Sequence, residues 1–140
     1  MNLSKDVERL IDNMIWETAE GKIDWHFSEP PRVLTEGTDF LIPSYVTCKY
    51  KDKQRIAVYE RRFKHFTDVD EWFWTSMNVF LMLDNGDRVI YESEDADNKI
   101  NSLFNVAKDN ASNVNNIIKG LLEAVQECGQ FLKIFGSEHG

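Results

Sequence analysis

The chain has 140 residues, only two cysteines, and 16 basic against 24 acidic side chains for a formal net charge of −8. This length holds one domain, residues 1–140, able to bury a core without disulfide staples. The acidic balance disfavours nucleic acid as a partner, and the early acids of MNLSKDVERL exclude a signal peptide or membrane span, so a cytoplasmic address is expected.

In chain order, Leu3, Val7, Leu10, Ile11, Met14, Ile15 and Thr18 recur at helical spacing, with Asp6, Glu8, Arg9, Asp12, Asn13 and Glu17 between them. The pattern predicts an amphipathic helix capped by Ser4 and stopped by Gly21, where a left-handed residue is wanted. The period then falls to two, as Ile23, Trp25 and Phe27 alternate with Asp24, His26 and Ser28 in a short strand. Glu29-Pro30-Pro31 ends it, and the segment to Asp39 reads as a loop.

Residues 10–25, LIDNMIWETAEGKIDW, are similar to the opening of small uncharacterised bacterial and prophage-encoded proteins, in which a helix ends in Gly-Lys-Ile and a tryptophan follows. The resemblance implies a bacterial or phage setting and a small stand-alone domain. It brings no catalytic residues.

Residues 40–50 form the next expected strand, with Pro43 marking a sheet edge or a bulge near its start, and Lys51 to Gln54 form the turn after it. The third run has two apolar phases, Ile56 and Val58 on one face and Ala57, Tyr59, Phe63 and His65 on the other. Either both faces are covered, or a bulge at Glu60-Arg61-Arg62 switches sides. Residues 72–83 present Phe73, Met77, Val79, Leu81 and Leu83 to a core, leaving Trp72, Trp74, Phe80 and Met82 to be covered by Trp25, Phe27 or helices, or used in binding.

A hairpin follows at Asp84-Asn85-Gly86. A two-residue loop pairs Leu83 with Arg88 and Leu81 with Ile90; a three-residue loop with Gly86 left-handed pairs Leu81 with Val89. The second is preferred, because the first sets Asp84 against Asp87. Past Glu92, Asp95 or Asp97 caps a helix bearing Ile100, Leu103, Phe104, Val106 and Ala107, broken at Asp109 to Ala111. A second helix, from Ser112 or Asn113 to about Cys128, carries an apolar stripe ending at Gly129. The assembled expectation is α+β: an N-terminal helix, an antiparallel meander of four or five strands, and two C-terminal helices packed on the sheet.

No stretch assembles a catalytic, metal or cofactor motif. Cys48 and Cys128 lack metal or redox spacing and read as reduced thiols. Glu92, Glu94, Asp95 and Asp97 lack the glycine and terminal glutamate of a calcium loop. His26, His65 and His139 stand apart, and a Cys48–His65 nucleophile pair needs contacts that the spacing does not supply. Asn110-Ala111-Ser112 matches a glycosylation sequon and reads as the polar start of a helix.

Charge is uneven: residues 49–65 hold seven basic and two acidic side chains, residues 68–97 one basic and nine acidic. Lys49, Lys51, Lys53, Arg55, Arg61, Arg62 and Lys64 form a strip that either meets phosphates beside Tyr59 and His65 or pairs with the acids that follow; the second is favoured in so acidic a chain. The expected function is a non-catalytic cytoplasmic protein-binding module, of prophage or toxin-neutralising type, engaging a basic protein. Its candidate binding residues are Trp25, Tyr59, Arg61, Arg62, Lys64, Trp72 and Trp74. Self-association would run through Phe131, Leu132, Ile134 and Phe135 or through the Trp72/Trp74 face. The alternative is a small-molecule or enzymatic pocket between sheet and helices, lined by Trp25, Tyr59, Trp72 and Trp74.

Overall fold

The computed structural model describes residues 3–94, 98–113 and 116–124. Helix α1, Leu3–Ala19, precedes a five-stranded antiparallel sheet in simple meander order: β1 His26–Phe27, β2 Leu41–Tyr50, β3 Gln54–Phe66, β4 Trp72–Leu83 and β5 Val89–Glu94. Helix α2, Lys99–Ser112, follows, and residues 116–124 are again helical. The architecture is the expected α+β. No helix among the described residues is long and apolar enough to cross a membrane.

Gly21 ends α1 as its position requires. With φ at +76°, it lets the Gly21 N–H reach the Thr18 carbonyl and the Lys22 N–H reach the Glu17 carbonyl, which satisfies two open carbonyls of the last turn. Ser4 does not precede the helix, because the helix already includes it. The strand expected over residues 23–27 shrinks to His26 and Phe27, paired with Thr47 and Val46. Trp25 leaves the ladder because its backbone N–H is taken by the Asn110 side chain at 2.7 Å and its indole N–H by Thr18 Oγ1 at 3.0 Å. A polar tie between helix ends has displaced a β ladder.

The sheet is buried on both faces over its middle. On one, Val46, Cys48, Ile56, Val58 and Phe80 meet Val7, Ile11 and Met14 of α1 and Ile100, Leu103 and Phe104 of α2. On the other, Tyr45, Ala57, Tyr59, Val79, Leu81 and Leu83 pack with Leu34, from a 3-10 turn at Arg32–Leu34 in the loop before β2. The two phases of β3 are thus two covered faces. No bulge interrupts Glu60 to Arg62, since β3 pairs with β4 without a shift from Arg55↔Leu83 to Phe66↔Trp72. The bulge sits instead in β2 between Leu41 and Ser44, around Pro43.

Neither hairpin frame read from the sequence holds. Leu83 pairs with Val89, Met82 with Tyr91 and Leu81 with Glu92, a shift that leaves Ile90 as the extra residue. The loop is still three residues, Asn85 to Asp87, but the left-handed residue is Asp87 at φ 62°, not Gly86. Two side chains account for this frame. Asp84 accepts the backbone N–H groups of Gly86 and Arg88, each at 2.9 Å, and Arg55 reaches from β3 to bond Asp87 at 2.6 Å. Helix α2 also runs past the expected break at Asp109 to Ala111 and stops at left-handed Asn113. Its proposed caps, Asp95 and Asp97, lie outside the described residues, as do Cys128, His139 and the apolar tail at 131–135.

Candidate functional site

β3 and β4 outrun their neighbours. β5 reaches only to Val79, and the last β2 contact on β3 is Leu41 with Arg62, so residues 63–66 and 72–75 project as a two-stranded ribbon. The alternation of the strands carries the covered face outward as Arg62, Lys64 and Phe66 beside Ser76, Trp74 and Trp72. Among the described residues, no helix follows it there. Trp72 and Trp74 are each 43% exposed and pack edge to face with ring centroids 5.5 Å apart, while Lys64 sets its ammonium 4.5 Å above the Trp72 ring. Below them, Leu41, Glu60, Arg62, Trp74, Thr75 and Ser76 line an open groove of about 310 Å³. The reverse side of the ribbon shows exposed Phe73, its ring 5.1 Å from His65.

Four of the seven candidate binding residues, Arg62, Lys64, Trp72 and Trp74, are therefore brought together on one exposed face. The other three are not. Trp25 is 4% exposed and lies in the helix-side core. Tyr59 is fully buried in the opposite layer. These residues line no common pocket with Trp72 and Trp74, because the sheet separates Trp25 from Tyr59 and the ribbon carries the other two away.

Arg61 is structural. Its guanidinium crosses β4 to bond Glu92 at 2.8 Å and Glu94 at 3.2 Å, donates to the Tyr59 hydroxyl at 3.0 Å and lies 4.7 Å from the Phe40 ring centre. Burial works against its charge, but Glu92 and the Tyr59 hydroxyl more than compensate and raise its pKa. Arg55 with Asp87 and Arg62 with Glu60 complete the pairing of this strip's arginines. The seven basic residues do not form one surface: Arg55 and Arg61 point to one face of β3, Arg62 and Lys64 to the other, and Lys51 and Lys53 sit in the turn at the opposite end.

Cys48 is 2% exposed, and burial pushes its thiol up to about 12, so it is a poor nucleophile at neutral pH. Its side chain lies on the helix side of the sheet with Ile56, whereas His65 lies nine residues further along β3 on the other face, roughly 30 Å away at the rise of a strand. That pair is not assembled. Among the described residues, no cluster of His, Cys, Asp and Glu has the arrangement of a metal site.

A second exposed apolar surface has no counterpart in the candidate residues. In the helical segment 116–124, Ile117, Ile118, Leu121 and Leu122 are all exposed. Their helical spacing was legible in the sequence; their exposure was not. A polar cleft of about 570 Å³ lies nearby, between the C-terminal ends of α1 and α2, with Asp24, Asn110 and Lys119 on its walls.

Fold and site together define an α+β domain with a bare aromatic ribbon. Compared with known proteins, the chain matches no family model, no curated protein and no solved structure.

Proposed function

We propose that this protein is a non-catalytic binding module that docks a protein partner on the face formed by Trp72, Trp74, Lys64 and Arg62. The observation that carries the reading is the exposure of two neighbouring tryptophans, each at 43%, on a strand whose other half holds buried Val79, Phe80, Leu81 and Leu83. Tryptophan and arginine are the side chains most enriched at interface hot spots, because a large rigid ring buries much area at small entropic cost. The chain as a whole is acidic, with a net charge of −8, which steers basic proteins toward it and repels acidic ones. Masking a basic toxin is one role that such a module fulfils.

The test compares the wild-type chain with a Trp72→Ala/Trp74→Ala variant as bait in cell lysate at low and raised salt. A basic protein retained by the wild type, lost from the variant and weakened by salt is the expected result. Equal retention by both baits removes the aromatic face from the mechanism.

A further inference from the structure

β4 continues for seven residues, Trp72–Asn78, beyond Val79, the last residue that β5 pairs. Among the described residues, no strand lies along that outer edge. An unpaired edge roughly 23 Å long is an open template for another strand, and folded proteins ordinarily block such edges with charge, proline, a bulge or brevity.

This sheet blocks its other edges in those ways. β1 has two residues, β2 carries Pro43 and a bulge, β5 is short and bears Glu92 and Glu94, and the free edge of β3 beyond Arg62 is only Phe63–Phe66 and bears Lys64. Trp72–Asn78 has no charge and no proline, and its register with β3 is unbroken.

We propose that a second copy of this chain pairs here, its own Trp72–Asn78 edge lying antiparallel to the first across a two-fold axis at Thr75, so that two sheets become one. Three observations favour a second copy over a foreign strand. Residues 72–83 are twelve consecutive uncharged positions, the longest such run in the chain, and two copies that each carry −8 can approach closely only where charge is absent. The edge is also self-complementary. Symmetry about Thr75 sets Trp74 opposite Ser76 and Trp72 opposite Asn78 on one face, a large ring against a small or polar side chain each time. On the other face it sets Phe73 opposite Met77, an apolar pair with a sulfur–aromatic contact, and Thr75 meets its own copy. Finally, the pairing uses the backbone edge and leaves the Trp72/Trp74 face open, so it does not depend on the partner-binding reading and places two such faces side by side.

The experiment is the solution mass of the full chain against concentration, by light scattering and sedimentation. A species of twice 16.3 kDa is expected for the wild type. Thr75→Lys sets like charges against each other on the axis and raises the dissociation constant at least roughly tenfold, or about 1.4 kcal/mol. Mixing Thr75→Lys with Thr75→Glu restores a dimer, which a merely misfolded variant would not do. In the wild type, backbone amides of residues 72–78 exchange with solvent more slowly in the dimer than after dilution. A Leu121→Lys/Leu122→Lys variant, altered on the exposed helix instead, remains dimeric. A wild type that keeps the mass of one chain at every concentration overturns the proposal. So does a dimer that the helix variant dissolves and Thr75→Lys does not, or one whose amides at 72–78 exchange at the same rate on dilution.

Discussion

Two tyrosines that stack in the layer beneath Leu34, with ring centres 5.8 Å apart, have opposite hydrogen-bonding fates. The Tyr59 hydroxyl accepts from Arg61, whereas the Tyr45 hydroxyl is buried without a partner among the described residues. A buried hydroxyl that has given up water for nothing is a cost, and a paired one is a modest gain. Tyr45→Phe is therefore expected to raise the urea midpoint, by the equivalent of up to about 1 kcal/mol, and Tyr59→Phe to lower it by about 1 kcal/mol or more, since it also strips a partner from Arg61. Equal losses in the two variants would contradict this account. The sequence favoured pairing of the basic strip with the acids that follow, and Arg61 does pair so, although it and Tyr59 also stood among the candidate binding residues. Which acids hold Arg61, Glu92 and Glu94 on a strand not adjacent to β3, is set by the fold.

At the scale of elements, β4 is one strand with two environments. Phe80 is fully buried between the sheet and the helices, yet Trp74, six residues earlier on the same face, is half exposed, because neither α1 nor α2 packs over the ribbon. Phe80→Ala is expected to cost about 3–5 kcal/mol, the usual loss for an emptied aromatic core site. Trp72→Ala/Trp74→Ala should stay within about 1 kcal/mol of wild type, the range of surface changes, while abolishing partner capture. Denaturant titration of both variants checks the split; a large loss in the tryptophan variant would make that face part of the core. Alternation along 72–83 made the two faces of β4 legible, though Phe73, expected in the core, is exposed on the ribbon, and Gly21 made the end of α1 legible, because both signals are local. The hairpin frame was hidden because Arg55, far back on β3, selects it through Asp87. The exposure of the tryptophans was hidden because it depends on how far α2 reaches along the sheet.

For the molecule as a whole, the two layers on either side of the sheet share a sensitivity to alkali. In the helix-side layer burial pushes Cys48 and Tyr50 up to about 12, and in the opposite layer burial does the same to Tyr45 and Tyr59. Each group is an acid whose neutral form the fold prefers. The sign follows: with folded values above the ordinary ones of about 8.5 for thiols and about 10 for phenols, their contribution is fully present below those ordinary values. It is lost as pH rises toward 12, since the unfolded chain releases these protons first. Both layers rest on the same three central strands, β2 to β4, so neither can open alone. Raising the pH from about 10 to about 12 should therefore give one cooperative transition in which phenolate absorbance and loss of β-sheet circular dichroism coincide. Phenolate appearing well before the sheet melts would mean that one layer admits water independently, and that the two covered faces are not a single cooperative core.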